Sequence, residues 1–158
     1  MDGKREMLRH SVATLAYRAA KVLRDAPPEF AAYHVNETTR TPAAILSHLG
    51  DLLDWALSMA EGHSEWHDAE VLGWDEGAER FFAAVGRFDE FLASDQPLGV
   101  AEEQLFQGPV ADALTHVGQI AMLRRMAGAP IRGENYFVAA IETGRVGAGQ
   151  EPARREFD

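Results

Sequence analysis

Four stretches of this chain repeat apolar residues at the spacing of an α-helix, and proline or glycine punctuates the gaps between them. That pattern constrains the fold more than any other feature of the sequence. The first stretch, 3–25, sets Leu8, Val12, Leu15, Ala19, Val22 and Leu23 on one face, and Pro27-Pro28 stops it. The second opens at "TRTP", with Thr41 as N-cap and Pro42 at the first helical position, and runs to Glu61 before Gly62. The third, Asp75 to Ser94, carries a broad stripe of Phe81, Phe82, Val85, Phe88, Phe91 and Leu92, read as core rather than as a cofactor box. The fourth starts at Gly108-Pro109 and ends at Met126 or Ala127, ahead of Gly128 and Pro130; its Arg124 and Arg125 fall at the C-terminal end, where positive charge is favourable. No run alternates β-branched with polar residues. The expected fold is all-α: a four-helix bundle in one domain over 1–143, followed by a loosely held, flexible tail over 144–158. The 26–40 and 62–74 connections are long enough to be crossovers or pocket walls, and 95–107 has room for one short turn around "AEEQLF".

Composition narrows the function classes. With no cysteine among 158 residues there is no disulfide, no thiolate nucleophile and no cysteine-ligated metal, so any metal must be held by His, Asp, Glu or backbone oxygen. A formal charge of −10 argues against nucleic acid as a partner. No window has the roughly eighteen unbroken apolar residues of a membrane span. The opening "MDGKREMLRH" has no apolar segment of a secretory signal, so a cytoplasmic protein is expected.

Against this background three polar side chains stand out. Turned at about 100° per residue, the fourth helix brings His116 among Ala113, Ile120, Leu123 and Ala127, with Asp112 and Gln119 on the flank of the same face. The second helix clusters Ile45, Leu52, Trp55 and Met59 around His48 in the same way. A single core histidine ordinarily hydrogen-bonds a neighbour, and Asp112 with His116 can form a buried charge-assisted pair. Unpaired burial costs several kcal/mol, about 2 or more for each such group, so something must satisfy them. A divalent cation satisfies all three at once, because inward His and carboxylate side chains on facing helices are how bundles build metal sites.

The chain also resembles a known family, the DinB/YfiT-like superfamily of four-helix-bundle metalloenzymes. The resemblance rests on His48 within "ILSHLGDLLDW", on "THVGQIAMLRRMAG" with its H-x-x-Q element, and on "GAPIRGENYF", and it spans roughly residues 5–140. It implies one histidine ligand from the second helix and a His-x₃-His pair from the last, holding a divalent metal that is often zinc or nickel. Carried over, the ligands are His48 and His116, with Asp112 standing where an imidazole is usual. A carboxylate there makes the site less positive and opens it to manganese or iron as well. The resemblance further implies a metal-dependent enzyme that acts on a small-molecule substrate, using a low-molecular-weight thiol such as bacillithiol or mycothiol. Hydrolysis is equally open.

Gln119, Asp51, Trp55 and His67 are the candidates for supporting or walling the ligands. Asp51 reads more readily as a solvated helix residue, and "GHSEWHDAE" reads as a loop whose His67 or Trp66 can wall the open side of the site. Its His63 and His67 form a second His-x₃-His spacing, while His10 and His34 lack partners. Leu46, Leu53 and Leu57 lie opposite His48, so the second helix is apolar on both sides, and a homodimer is expected to cover the extra one. The competing function is a non-catalytic dimeric bundle serving as a stress-related binding or interaction module.

Overall fold

The computed structural model describes residues 3–157. Its elements are α1 (Gly3–Leu23), a 3₁₀ turn (Pro28–Ala32), α2 (Pro42–Ala60), α3 (Trp74–Ala93), α4 (Glu102–Leu105), a π-helical turn (Phe106–Val110), α5 (Ala111–Met126) and a last 3₁₀ turn (Tyr136–Val138). The four long helices coincide with the four periodic stretches. Thr41 caps α2 as the sequence requires, its hydroxyl accepting from Ala44 N at 3.2 Å, and Pro42 occupies the first turn.

The bundle is all-α, with α1 and α2 each packed against both α3 and α5. α1 and α2 therefore stand on one diagonal and α3 and α5 on the other, while α2 and α3 are neighbours, and the connection from α1 to α2 crosses the end of the bundle. The core is built from the predicted stripes: Leu15, Leu53, Phe81, Phe88, Leu92 and Ile120 are fully buried. Each such side chain contributes about 1.5–3 kcal/mol on leaving water. The second apolar side of α2, on which the expectation of a homodimer rested, is covered by α3 of the same chain; Leu46 and Leu53 are buried and Leu46 packs on Gly77.

Two segments depart from the sequence reading. The last helix does not begin at Gly108-Pro109. Helical structure starts at Glu102 and passes through the π turn into α5, with Pro109 inside that turn. Proline has no N–H to donate and its ring crowds the preceding turn, and the wider π turn accommodates both. The stretch read as a loosely held tail makes specific contacts at its end: Glu156 forms a bridge with Glu134, and Phe157 N donates to Gly133 O at 2.8 Å. Both carboxylates reach back to Lys21 on α1, at 2.8 Å for Glu134 and 2.7 Å for Glu156.

The arginine placed at the end of α5 does more than complement the helix dipole. Arg124 is buried and donates to the carbonyls of Val22, Arg24, Asp25 and Ala129, closing the C-terminal ends of α1 and α5 together. Asp25 turns the chain there at φ 54°, a left-handed conformation that aspartate tolerates better than most residues. At the other turn that matters for the site, Gly62 leaves α2 at φ 92° and Gly99 packs onto it. A Cβ on Gly99 would stand 2.3 Å from Gly62 Cα, so only glycine fits.

Candidate metal centre

His48 on α2 and His116 on α5 meet across the groove between the two helices, their rings edge to face with centroids 4.7 Å apart. Asp112, one turn before His116, joins them. Its two carboxylate oxygens lie 3.8 Å from His48 Nε2 and 3.5 Å from His116 Nε2. Ligand atoms of all three residues fall within 4.8 Å of one another, the one such grouping among the described residues. These separations are too long for charge-assisted hydrogen bonds, which run at about 2.7–2.9 Å. They are close to the spacing of two atoms sharing one ion: bonds of about 2.0–2.1 Å at a tetrahedral angle hold ligands about 3.3–3.4 Å apart. The residues present therefore fit a divalent cation.

Gln119 fixes the chemistry of His116. Its Oε1 lies 2.8 Å from His116 Nδ1. An amide oxygen can only accept, so Nδ1 carries the proton and Nε2 keeps its lone pair toward Asp112. At His48, burial pushes the imidazole pKa below its ordinary value, with the nearby His116 and Arg40 acting in the same direction against the pull of Asp112 and Asp51. The ring is thus held in the neutral form that a metal ligand requires.

The triad lies at the rim of the core rather than inside it. The buried stripe of α5 runs through Ala113, Val117, Ile120, Leu123 and Arg124, so His116 is roughly 50° off its axis and half-buried. Asp112 is more open still, its side chain 49% exposed. The site consequently faces a groove of about 670 Å³, lined by His48, His116, Gln119, Arg40, Met122 and Met126 among others. Arg40, just before the N-cap of α2, carries no spacing signal that would have singled it out.

On the opposite side the wall is Trp66, its ring 5.5 Å from that of His48 and 5.8 Å from that of Trp55. His67 is not part of it. That side chain is 77% exposed and lies 3.6 Å from Glu65, while His63 lies 3.8 Å from Glu61, so the second His-x₃-His pair does not converge. Asp51 is buried rather than solvated, and its partner is Arg80 at 2.7 Å, not His48. Trp55 supports Trp66 and donates to Ser64 Oγ at 3.0 Å.

These placements share a cause that periodicity alone did not announce. Ser47, Asp51, Trp55 and Ser58 recur along one side of α2, and each bonds the irregular segment beyond it. Ser47 Oγ donates to Ala69 O at 3.4 Å, Asp51 accepts from Ala69 N at 3.4 Å, and Ser58 Oγ accepts from Glu65 N at 3.1 Å. The polar stripe straps residues 64–69 to α2 and lays Trp66 over His48. Polar residues at helical spacing in an otherwise apolar helix were the available signal.

No helix of the described residues is long and apolar enough to cross a membrane. No family model matches the chain, and neither a curated protein nor a solved structure matches it.

Proposed function

We propose that this chain is a metal-dependent enzyme of the DinB/YfiT-like kind, with His48, Asp112 and His116 holding a divalent cation at the head of the groove. The observation that carries the reading is the convergence of three ligand atoms within 4.8 Å beside an open cavity. Zinc or nickel suits two imidazoles, and the carboxylate extends the range to manganese and iron(II). Such a cation supplies a Lewis acid that favours the deprotonated form of a thiol or water placed against it.

The chain's own residues define the rest. Gln119 holds the proton on His116 Nδ1 and so keeps Nε2 directed at the centre. Trp66 shields His48 on one side, which leaves the groove as the direction of approach. Transfer of a low-molecular-weight thiol is the reaction we favour over hydrolysis, because among the described residues no carboxylate or free imidazole beyond the triad lines the groove as a general base for water.

Elemental analysis of untagged protein tests the centre, repeated for His48→Ala and His116→Ala. Stoichiometric divalent metal in the wild type, lost in both variants, supports it. Absence of metal, together with no thermal shift in zinc, nickel, manganese or iron(II), overturns it in favour of a non-catalytic bundle.

A further inference from the structure

The groove leading to the triad holds a second recognition element. Arg40 lines it, is exposed, and has no hydrogen-bond or ion-pair partner among the described residues. Arg9 closes on Asp89, Arg80 on Asp51 and Asp54, and Arg124 on backbone carbonyls, whereas Arg24, Arg125 and Arg154 share Arg40's lack of a side-chain partner among the described residues; Arg40 differs from these in lining the groove. Its guanidinium lines the same groove as His48, near enough for its charge to act on that ring, and is free to pair with an anion that enters there. The walls beyond it are apolar. Val35, Met122 and Met126 are 40%, 58% and 50% exposed, and methionine surfaces adapt to apolar groups of varied shape.

We propose that the groove binds a small monocarboxylic acid with an apolar body. The carboxylate pairs with Arg40, the body lies along Val35, Met122 and Met126, and the group to be transformed reaches the His48–His116 end. A guanidinium presents parallel N–H donors that match a carboxylate two-for-two. In the metal-free protein Arg40 is the one fixed cation among the lining residues, which matches an anion of a single charge. A phosphate ester, at about −1.5 to −2, would leave charge uncompensated near Asp112. The volume of about 670 Å³ suits a small molecule rather than a polymer. What happens at the inner end rests on the metal-centre reading; the anchoring on Arg40 does not.

Calorimetric titration of chelator-treated protein with octanoate, octanol and octyl phosphate tests the proposal. Octanoate is expected to bind at least about tenfold more tightly than octanol, the value of a charge-assisted hydrogen bond. Arg40→Ala removes that preference without lowering the melting temperature, and Arg40→Lys restores part of it. Met126→Ser, which removes apolar wall without adding charge, weakens octanoate and octanol alike. Equal affinity for octanoate and octanol, or a preference that survives Arg40→Ala, overturns the anchor. Tighter binding of octyl phosphate than of octanoate overturns the single charge. A preference that depends on Arg40 in a chain that takes up no metal sinks the metal centre and leaves this proposal standing, and metal uptake without the preference does the reverse.

Discussion

Two polar clusters flank the core of this bundle, and they are closed to different degrees. At Tyr17, Lys21, Glu134 and Glu156 the contacts are at hydrogen-bond length: 2.6 Å from the Tyr17 hydroxyl to Glu134, and 2.8 and 2.7 Å from Lys21 to Glu134 and Glu156. At His48, Asp112 and His116 the corresponding approaches are 3.5 and 3.8 Å, on the rim of a groove. Residue type does not separate the clusters, since each combines carboxylates with basic side chains. Distance and closure do. A cluster whose donors and acceptors are matched to one another holds chain segments together, here the C-terminal stretch against α1. A cluster whose ligand atoms converge without touching is arranged around something else.

The largest expected effect tests the open cluster. Structural zinc sites with four ligands bind with about 10–16 kcal/mol, so one ligand is worth about 2.5–4 kcal/mol. His116→Ala should therefore weaken zinc binding by roughly two to three powers of ten in a competition titration against a chelator, at that worth per ligand. The melting temperature of the metal-free protein should move little, because the residue lies on the edge of the buried stripe. A large fall in that temperature with unchanged zinc affinity would make His116 a structural residue and erase the contrast.

Glu134→Ala should show the opposite profile. It leaves the Tyr17 hydroxyl without its acceptor and strips buried Lys21 of one of two carboxylates. Breaking a buried pair costs about 3–5 kcal/mol, and the surviving Glu156 places this case near the lower end, about 3 kcal/mol. For a domain of this size that is a drop of about 6–12 °C by scanning calorimetry. Zinc affinity should be unaffected, and coupled losses would show that the clusters are not independent.

Gln119→Ala sharpens the comparison further, because it acts on the open cluster without removing a ligand. Loss of the acceptor at His116 Nδ1 frees the ring to adopt the wrong tautomer, and outer partners of this kind are worth about 10–100-fold in metal affinity. Gln119→Glu, which still accepts, should retain most of the binding. Equal affinities for all three forms would remove Gln119 from the site.

The two clusters also differ in how legible they were. His48, Asp112 and His116 sit on periodic helices, where a rotation of about 100° per residue brings them to one face from sequence alone. That rotation centred the face on His116, whereas the packed stripe runs through Ala113, Val117 and Ile120, so the site proved shallower than the wheel implied. The closed cluster was invisible. Glu134 and Glu156 lie in stretches with no repeat, and only the fold brings them to Lys21. Arg40 and Trp66 were unpredictable in position for the same reason, although the loop carrying Trp66 had been marked as a wall. The π turn misled differently: Gly108-Pro109 is a strong local start signal, overridden because α4 and α5 pack as one interrupted helix.

The smallest effect is in pH, and it has opposite sign at the two clusters. Burial lowers the His48 pKa from its ordinary value, so between that value and the folded one the unfolded chain binds the proton first. The metal-free protein should lose stability as pH falls through about 6.5 and below. Lys21 behaves conversely. Burial works against its charge, but the hydrogen bonds to Glu134 and Glu156 outweigh it and the pKa is raised. Its contribution is complete below the ordinary lysine value of about 10.4 and is lost as pH rises through the folded value. Melting temperatures of chelated wild type, His48→Gln and Lys21→Met between acid and alkaline pH would separate the two limbs. His48→Gln should flatten the acid limb alone, and Lys21→Met the alkaline limb alone. If one substitution flattened both, the stability of the two clusters would be a single cooperative quantity, and the division between a cluster that holds the chain and one that awaits an ion would fail.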